Sequence, residues 1–206
     1  MRVDLHTHTA VVSLCSRILP AEMVAVALQR GLDGICITDH VFDGQTLCRN
    51  AASPYAGYRA VCQIAEGSGL VVLPGIEFSF DEGDFLVYGL EEAVLQALGQ
   101  DYCLDTCLAL AQGVGSVVVQ AHPFRRGGRP VQGVDAIETC NGGCSDAHNQ
   151  QAEMWSQQNG VLGVAGSDAH QKWEVGRCYT ILEADCSTVT GLCEAIRRRR
   201  VRGLSH

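Results

Sequence analysis

The chain has 206 residues, of which 47% are hydrophobic, and a formal net charge of -8 at pH 7. This length and apolar fraction fit one domain around one core. The negative charge argues against a protein built mainly to coat nucleic acid, and no apolar run approaches the roughly 18 to 20 residues that span a bilayer. We therefore expect neither a strong nucleic-acid surface nor a membrane segment.

The chain contains 11 cysteines, and no charged-then-apolar signal segment precedes Val3. We therefore expect a cytoplasmic protein whose cysteines are reduced. Four of them lie in apolar patterns and are predicted to fill the core, namely Cys36, Cys62, Cys107 and Cys193. Two pairs have their members four residues apart, namely Cys103/Cys107 and Cys140/Cys144. Neither pair has the tight CxxC form, which disfavours a separate structural zinc site.

Short apolar runs alternate with helical patterns along the chain. The predicted strands are RVDL (2–5), GICIT (34–38), LVVLPGIEF (70–78), FLVYGL (85–90), SVVVQA (116–121), VDAIET (134–139), VLGVAG (161–166) and RCYTIL (177–182). The predicted helices cover 20–31, 57–69, 101–113, 145–160 and 187–200. This alternation predicts an α/β fold with a mostly parallel sheet covered by helices. With about seven such units, a small closed or distorted barrel is favoured over an open sheet.

Polar side chains follow the predicted strands at their C-terminal ends, where parallel folds place their chemistry. Five of the seven histidines and three carboxylates lie there: His6, His8, Asp39, His40, Glu77, His122, Asp168 and His170. A single histidine at such a position is more often a hydrogen-bonded core residue. The recurrence of the same chemistry at five strand ends indicates a shared site.

The spacing within these pairs suits a metal ion. Residues i and i+2 of an extended segment point to the same side, so His6 and His8 can face one ion. The same holds for Asp168 and His170. Imidazole and carboxylate ligands suit Zn, Mn or Fe. Because one cation needs about four to six ligands, these candidates favour two or three ions, with Glu77 as a bridge.

Five short motifs occur in order over nearly the whole chain: DLHTHT (4–9), ITDH (37–40), GIE (75–77), AHPFR (121–125) and GSDAH (166–170). Together they resemble the PHP family, named for polymerase and histidinol phosphatase domains. The resemblance implies a distorted seven-stranded (β/α) barrel, formed as a single domain over residues 1–206. It also implies a two- or three-metal site at the strand ends and phosphoester hydrolysis as the activity.

By position, the resemblance implies three ligand sets: His6, His8, Glu77 and Asp168 for one ion, Glu77 and His122 for a second, and His40 and His170 for a third. Two positions depart from the family pattern. Asp84 stands where small phosphoesterases of the family often have a histidine. It is either a ligand that favours Mn or Mg over Zn or a turn residue in DEGD.

The second departure follows the HxH pair, where an aspartate or histidine usually helps to hold the third ion. The polar residues there are Ser13, Cys15 and Ser16. Either a Cys15 thiolate or a water would complete that site. A two-metal enzyme therefore stays open beside a three-metal one.

Arginines follow two of the candidate ligand segments. A guanidinium makes bidentate contacts to phosphate oxygens, so we predict that Arg125, three residues past His122, binds the substrate phosphate. Arg177, shortly after GSDAH, is a second candidate. Arg126 and Arg129 are interpreted as charges of a solvated loop.

The predicted mechanism is attack of a metal-activated hydroxide on phosphorus. His170 or His40 would protonate the leaving oxygen if it is not fully committed as a ligand. Asp39 would orient a neighbouring histidine.

We therefore predict a metal-dependent phosphoesterase with two or three divalent ions (Mn, Fe or Zn) as cofactors. Its partner would be a small phosphomonoester or a nucleotide-derived phosphate, a nucleotide or short RNA end included. One alternative is a metal-dependent C–N hydrolase of the amidohydrolase type, against which the arginine loop, the TDH motif and the lack of a candidate bridging lysine argue. Another is a non-catalytic metal-binding domain, against which the near-complete set of candidate ligands argues.

Overall fold

The computed structural model describes residues 1–42, 53–97, 103–183 and 186–205. Its strands are β1 (Arg2–Thr7), β2 (Gly34–Ile37), β3 (His40–Phe42), β4 (Val71–Phe80), β5 (Gly83–Tyr88), β6 (Val117–Gln120), β7 (Ala136–Asn141), β8 (Leu162–Gly166), β9 (Cys178–Leu182) and β10 (Val201–Ser205). Its helices are α1 (Pro20–Gln29), α2 (Ala56–Ala65), α3 (Glu92–Ala97), α4 (Leu104–Val114), α5 (Asp146–Asn159) and α6 (Val189–Arg197). Each predicted strand and helix overlaps one of these elements, with ends that differ by a few residues. The first two residues of the helical pattern at 101–113 lie outside the described residues.

All of these strands join one sheet in the order β10-β9-β1-β2-β4-β5-β6-β7-β8, with β3 paired to β4. The segment that follows β8 returns to β1. The Asp168 N–H donates to the His6 carbonyl at 2.8 Å, and the His8 N–H donates to the Ala169 carbonyl at 3.2 Å. The sheet is therefore a nearly closed barrel, and the predicted α/β barrel fold is confirmed.

The sheet contains more antiparallel pairing than the alternating pattern predicts. The antiparallel pairs are β1–β9, β9–β10, β4–β5 and β5–β6. The link between β4 and β5 is too short for a crossover helix, so these two strands can pair only as a hairpin. The short elements β3, β10 and α3 were not predicted, because so few residues give no clear periodicity.

The helix ends follow local sequence signals. Pro20 opens α1, where its missing N–H costs nothing, and the Leu19 N–H donates to the Glu22 carboxylate at 3.2 Å. At the start of α5, the Ser145 hydroxyl accepts from the His148 N–H at 3.3 Å, as an N-cap does. Among the described residues, no helix combines the length and the apolar character needed to cross a bilayer.

The barrel interior is filled with apolar side chains. Val3 and Leu5 of β1, Leu73 of β4, and Leu86 and Tyr88 of β5 are buried in one cluster. The Tyr88 hydroxyl donates to the Leu5 carbonyl at 2.7 Å, so the polar end of this ring is satisfied inside the core. Because the interior is packed, polar side chains collect at the mouth of the barrel.

The expectation that all cysteines are reduced is wrong, because Cys140 and Cys178 form a disulfide that joins β7 to β9. Barrel closure brings these two strand ends together across 38 residues of sequence, a pairing that spacing alone does not reveal. Since Cys140 is bonded, it cannot pair with Cys144 in a zinc site. Three of the cysteines predicted in the core are buried, namely Cys36, Cys107 and Cys193, and Cys62 is half-buried.

Candidate metal centre

The side chains predicted to bind metal converge on the mouth of the barrel. They are His6 in β1 and His8 just after it, His40 in β3, Glu77 in β4, Asp84 in β5, His122 after β6, and Asp168 and His170 after β8. His6, His8, Glu77, His122 and Asp168 are buried, whereas His40, Asp84 and His170 are half-buried. Residues far apart in the sequence thus share one polar cluster.

The Glu77 carboxylate lies at the middle of this cluster. Its Oε1 is 3.4 Å from His6 Nε2 and 3.6 Å from His122 Nε2. Its Oε2 is 3.3 Å from His8 Nε2 and 2.8 Å from His40 Nδ1. One carboxylate therefore faces four imidazoles with its two oxygens.

Asp168 faces three of the same imidazoles. Its Oδ1 is 3.5 Å from His6 Nε2 and 3.3 Å from His8 Nε2. Its Oδ2 is 3.6 Å from His122 Nε2 and 2.6 Å from Arg125 Nη1. The two carboxylates and their histidines thus form one continuous set of donor atoms.

Within the described residues, three groups of side chains bring their donor atoms close enough to share an ion. They are His6/His8/Glu77, Glu77/Asp84/His122 and His8/His40/His170. Glu77 belongs to two of the groups and His8 also belongs to two. Sharing of this kind is what closely spaced ions require.

The charges of protonated histidines and ionised carboxylates offset each other in this buried centre. Burial disfavours a charge on His6, but nearby carboxylates, above all that of Glu138, raise its pKa well above the ordinary value. Burial also disfavours a charge on His40, but Glu77 and Cys15 together raise its pKa to about 10. Burial and the neighbouring His40 instead lower the pKa of His8 to about 3. Although burial opposes it, His6 and His40 hold the pKa of Glu77 well below its usual range.

The donor set fits metal ions. Glu77 Oε2 and His122 Nε2 are among the buried side-chain atoms of the described residues that make no hydrogen bond, a costly condition for buried polar groups. Each instead faces other nitrogen and oxygen donors of the cluster. Imidazole nitrogens and carboxylate oxygens are the ligands that Zn, Mn and Fe take in proteins, so cations would satisfy atoms that the chain itself leaves without a hydrogen bond.

Two of these residues adopt a backbone conformation that side chains other than glycine rarely take. His122 has a φ of 29° and Asp168 a φ of 55°. Such conformations persist where the surroundings enforce them, and they concentrate at functional sites. Here they place the two side chains in the shared cluster, 3.6 Å apart between His122 Nε2 and Asp168 Oδ2, from the ends of β6 and β8.

Asp39 is buried beside the centre and binds the loop that follows β1. Its carboxylate accepts from the Thr9 N–H, the Thr9 hydroxyl and the Ser13 hydroxyl, each at 2.7 Å. Ser13 Oγ is in turn 3.5 Å from His8 Nδ1 and accepts from the His40 N–H at 3.1 Å. Within the described contacts, Asp39 reaches these histidines through Ser13.

Cys15 lies on the exposed side of the cluster. Its thiol is within hydrogen-bond reach of His170 and His40, which lower its pKa to about 6 although burial opposes the shift. A thiolate at this position would lie beside the group His8/His40/His170. The departure from the family pattern after the HxH pair thus places sulfur next to the outermost histidines.

The two predicted phosphate-binding arginines occupy different places. Arg125 is half-buried at the centre. Its Nη1 lies 2.6 Å from Asp168 Oδ2, and its Nη2 lies 3.9 Å from Asp84 Oδ2. It lines a cavity of about 230 Å³ together with His122. Arg177 lines a separate cleft with Cys140 and Cys178, on the far side of the loop that follows β7.

Two buried carboxylates beside the centre were missed in the sequence. Asp4 accepts from the Ser167 N–H and the Gly176 N–H, each at 2.8 Å, and so ties β1 to the loop that carries Asp168. Burial raises the pKa of Asp4 to about 6. Glu138 contacts His6 from β7. The available signal was a charged residue inside an otherwise apolar strand.

Comparison with known proteins agrees with this arrangement. The profile of the PHP domain matches residues 4–129, and a profile described as PHP-associated matches residues 146–201. A protein named probable phosphatase from Caldicellulosiruptor saccharolyticus is 28% identical over an alignment of 212 residues, gaps included, and the match covers 86% of this chain and 84% of that protein.

Solved structures share the fold. A two-domain protein from Bacteroides vulgatus, containing a predicted PHP-like metal-dependent phosphoesterase, superposes with a TM-score of 0.78 at 18% identity; the match covers all of this chain but 65% of that one. PsfC from Pseudomonas syringae superposes with a TM-score of 0.74 at 22% identity, over 100% of this chain and 91% of that one. Because the PHP domain profile matches more than half of its length, this chain belongs to the PHP domain family.

Proposed function

We propose that this chain is a metal-dependent phosphoesterase that hydrolyses a small phosphomonoester or a nucleotide-derived phosphate. The observation that carries the proposal is the buried Glu77 carboxylate, which faces four imidazoles while Arg125 lies beside Asp168. A cluster of ligands next to a guanidinium suits a substrate that carries phosphate. Membership of the PHP family gives the proposal independent support.

Three groups of residues would hold two or three ions of Mn, Fe or Zn: His6, His8, Glu77 and Asp168; Glu77, Asp84 and His122; and His40 and His170 with Cys15. When bound, such ions supply an acidified water and positive charge next to the phosphoryl oxygens. A carboxylate oxygen of Asp84 would favour a hard ion at the second site more than a histidine nitrogen would. A thiolate of Cys15 would favour a softer ion at the third site.

Arg125 would bind the phosphoryl group. It follows the buried His122 within the same loop, and its guanidinium already lies against the Asp168 carboxylate at 2.6 Å. A phosphate oxygen would take the place of that carboxylate oxygen as the acceptor, and a second phosphate oxygen could accept the parallel N–H bond of a bidentate contact. The cavity of about 230 Å³ beside it favours a small phosphorylated group.

His170 is the first candidate for the proton that the leaving oxygen needs. Its Nδ1 lies 2.9 Å from the Asp168 carbonyl, which can only accept, so Nδ1 carries the hydrogen. The other nitrogen, Nε2, is then free to bind an ion or to carry a proton. His40 is the second candidate, with Nδ1 beside Glu77.

The first prediction concerns activity itself. The purified protein should hydrolyse a generic aryl phosphate when supplied in turn with Mn, Fe or Zn. His8→Ala and Asp168→Asn should each reduce the rate by at least about a hundredfold, since each removes a donor to the shared ions. His148→Ala is the matched control, because His148 lies in the first turn of α5 and outside the ligand groups.

A rate that is equal in His8→Ala and the native protein would contradict the proposal. Tight metal binding without phosphatase activity under any of the ions would favour a non-catalytic metal-binding domain. Hydrolysis of amide substrates alone would favour a C–N hydrolase. A panel of phosphorylated metabolites and short RNA ends, screened with the preferred ion, would then identify the substrate.

The second prediction concerns Arg125. Arg125→Ala should lower kcat/KM about a hundredfold, as expected for the loss of a charged donor to the transition state, while the bound metal stays constant. Arg125→Lys should restore only part of the loss, because an ammonium cannot make the planar bidentate contact. The comparison is Arg129→Ala, an exposed arginine of the same loop, which should behave as native. Equal kinetics of Arg125→Ala and Arg129→Ala would refute the role.

The third prediction concerns pH. His6 and His40 have raised pKa values, so both hold protons near neutral pH that an ion must displace. Metal binding should therefore release protons and tighten as pH rises, by about tenfold per pH unit for each proton released. Isothermal titration calorimetry in buffers of different ionisation enthalpy measures this release. An affinity that does not change between about pH 6 and pH 8 would contradict it.

A further inference from the structure

We infer that Glu138 is a positioning residue of the metal centre, whose carboxylate fixes both the ring of His6 and the backbone that carries His122. The inference rests on the proposed metal binding. Glu138 lies in β7 and is buried. It belongs to none of the ligand groups found among the described residues, so its effect would act through the ligands that it holds.

Both oxygens of Glu138 are occupied. Its Oε1 lies 3.0 Å from His6 Nδ1. Its Oε2 accepts from the His122 backbone N–H at 3.0 Å and from Asn141 Nδ2 at 2.7 Å. One carboxylate therefore connects two strand ends, β1 and β6, that supply ligands from positions 116 residues apart in the chain.

The chemistry of this contact determines which nitrogen of His6 can bind an ion. An ionised carboxylate can only accept, so His6 Nδ1 must carry the hydrogen. The proton that an ion displaces is then the one on Nε2, which leaves the ligand lone pair on the atom that lies 3.4 Å from Glu77 Oε1 and 3.5 Å from Asp168 Oδ1. A carboxylate that holds the far nitrogen of a ligating histidine in this way sets the ring orientation and its basicity.

The chain makes room for this contact. A Cβ on Gly166 of β8 would lie 2.4 Å from His6 Cβ and 2.9 Å from Glu138 Oε1. Any side chain at position 166 would therefore clash with His6 and crowd the Glu138 carboxylate. The β7–β8 register also shifts between Glu138 and Cys140, an irregularity that re-aims side chains where a ladder ends.

Asn141 extends the arrangement to the next helix. While its Nδ2 donates to Glu138, its Oδ1 accepts from the Gly143 N–H at 2.9 Å. The Asn141 N–H donates to Asn149 Oδ1 on α5 at 3.0 Å. The loop after β7 is thereby held next to Asp168, whose Oδ2 would lie 3.3 Å from a Cβ on Gly143.

The test compares the isosteric variant Glu138→Gln with a double variant that also carries Asn141→Asp. In Glu138→Gln, the NH2 group of the new amide must face a hydrogen-bond donor. It faces either Asn141 Nδ2 and the His122 N–H, or His6 Nδ1. We expect zinc affinity to fall by about 10- to 100-fold with the thermal midpoint of the metal-free protein little changed. Adding Asn141→Asp supplies an acceptor for the amide introduced at position 138 and should recover at least part of that affinity. Asp135→Asn, a carboxylate-to-amide change just before β7, is the control.

A second readout does not depend on activity or on the variant folding. Nitrogen-edited NMR of the native full-length chain, metal-free and zinc-loaded, should detect a slowly exchanging hydrogen on His6 Nδ1. Recovery of zinc affinity in the double variant is the result that a purely structural Glu138 would not give.

The outcomes separate this inference from the proposed function. A native protein that binds no metal and hydrolyses no phosphate contradicts the proposed function, and His6 Nδ1 can still be examined. A native protein that binds zinc, beside a Glu138→Gln variant that binds it within about threefold of native, overturns the positioning role, because a positioning contact is expected to cost more than that. A native His6 that carries its hydrogen on Nε2 alone also overturns it.

Discussion

The burial of Glu77 among imidazoles is the constraint on which the rest of the structure depends. A carboxylate that is 1% exposed would be costly without positive charge nearby. Four histidines face it, and protons on His6 and His40 balance it in the absence of ions. The nitrogen and oxygen atoms of this cluster therefore lie close together without all of them forming hydrogen bonds to one another. Divalent cations would satisfy them, and this is the physical basis for a metal centre here.

The barrel holds these donors in place through contacts away from the ions. Asp4 joins β1 to the loop carrying Asp168, Glu138 joins β1 to β6, and Asp39 with Ser13 fixes the loop after β1. Each carboxylate accepts backbone or side-chain hydrogens from more than one residue. Ligands supplied by many strand ends can share ions only if those ends are fixed relative to one another, and these buried carboxylates fix them.

Much of the fold and the centre could be predicted from the sequence. Apolar runs ending in His6, Glu77, His122 and Asp168 follow from strand periodicity, and barrel closure then brings their ends to one mouth. The contacts of Glu138 and the Cys140–Cys178 disulfide could not be predicted, because their partners are set by which strands become neighbours. Arg125 and Arg177 looked equivalent along the chain, yet the loop after β7 separates them in space. Local sequence patterns predict individual strands and helices, whereas contacts between strands depend on which strands are neighbours in the closed sheet.

The most direct test of the central claim is anomalous diffraction from crystals grown with Mn or Zn, measured at the absorption edge of the metal. We expect anomalous peaks next to the Glu77 carboxylate, one flanked by His6 and His8 and one by His122 and Asp84. Metal peaks that all lie away from Glu77, in crystals of active protein, would contradict it.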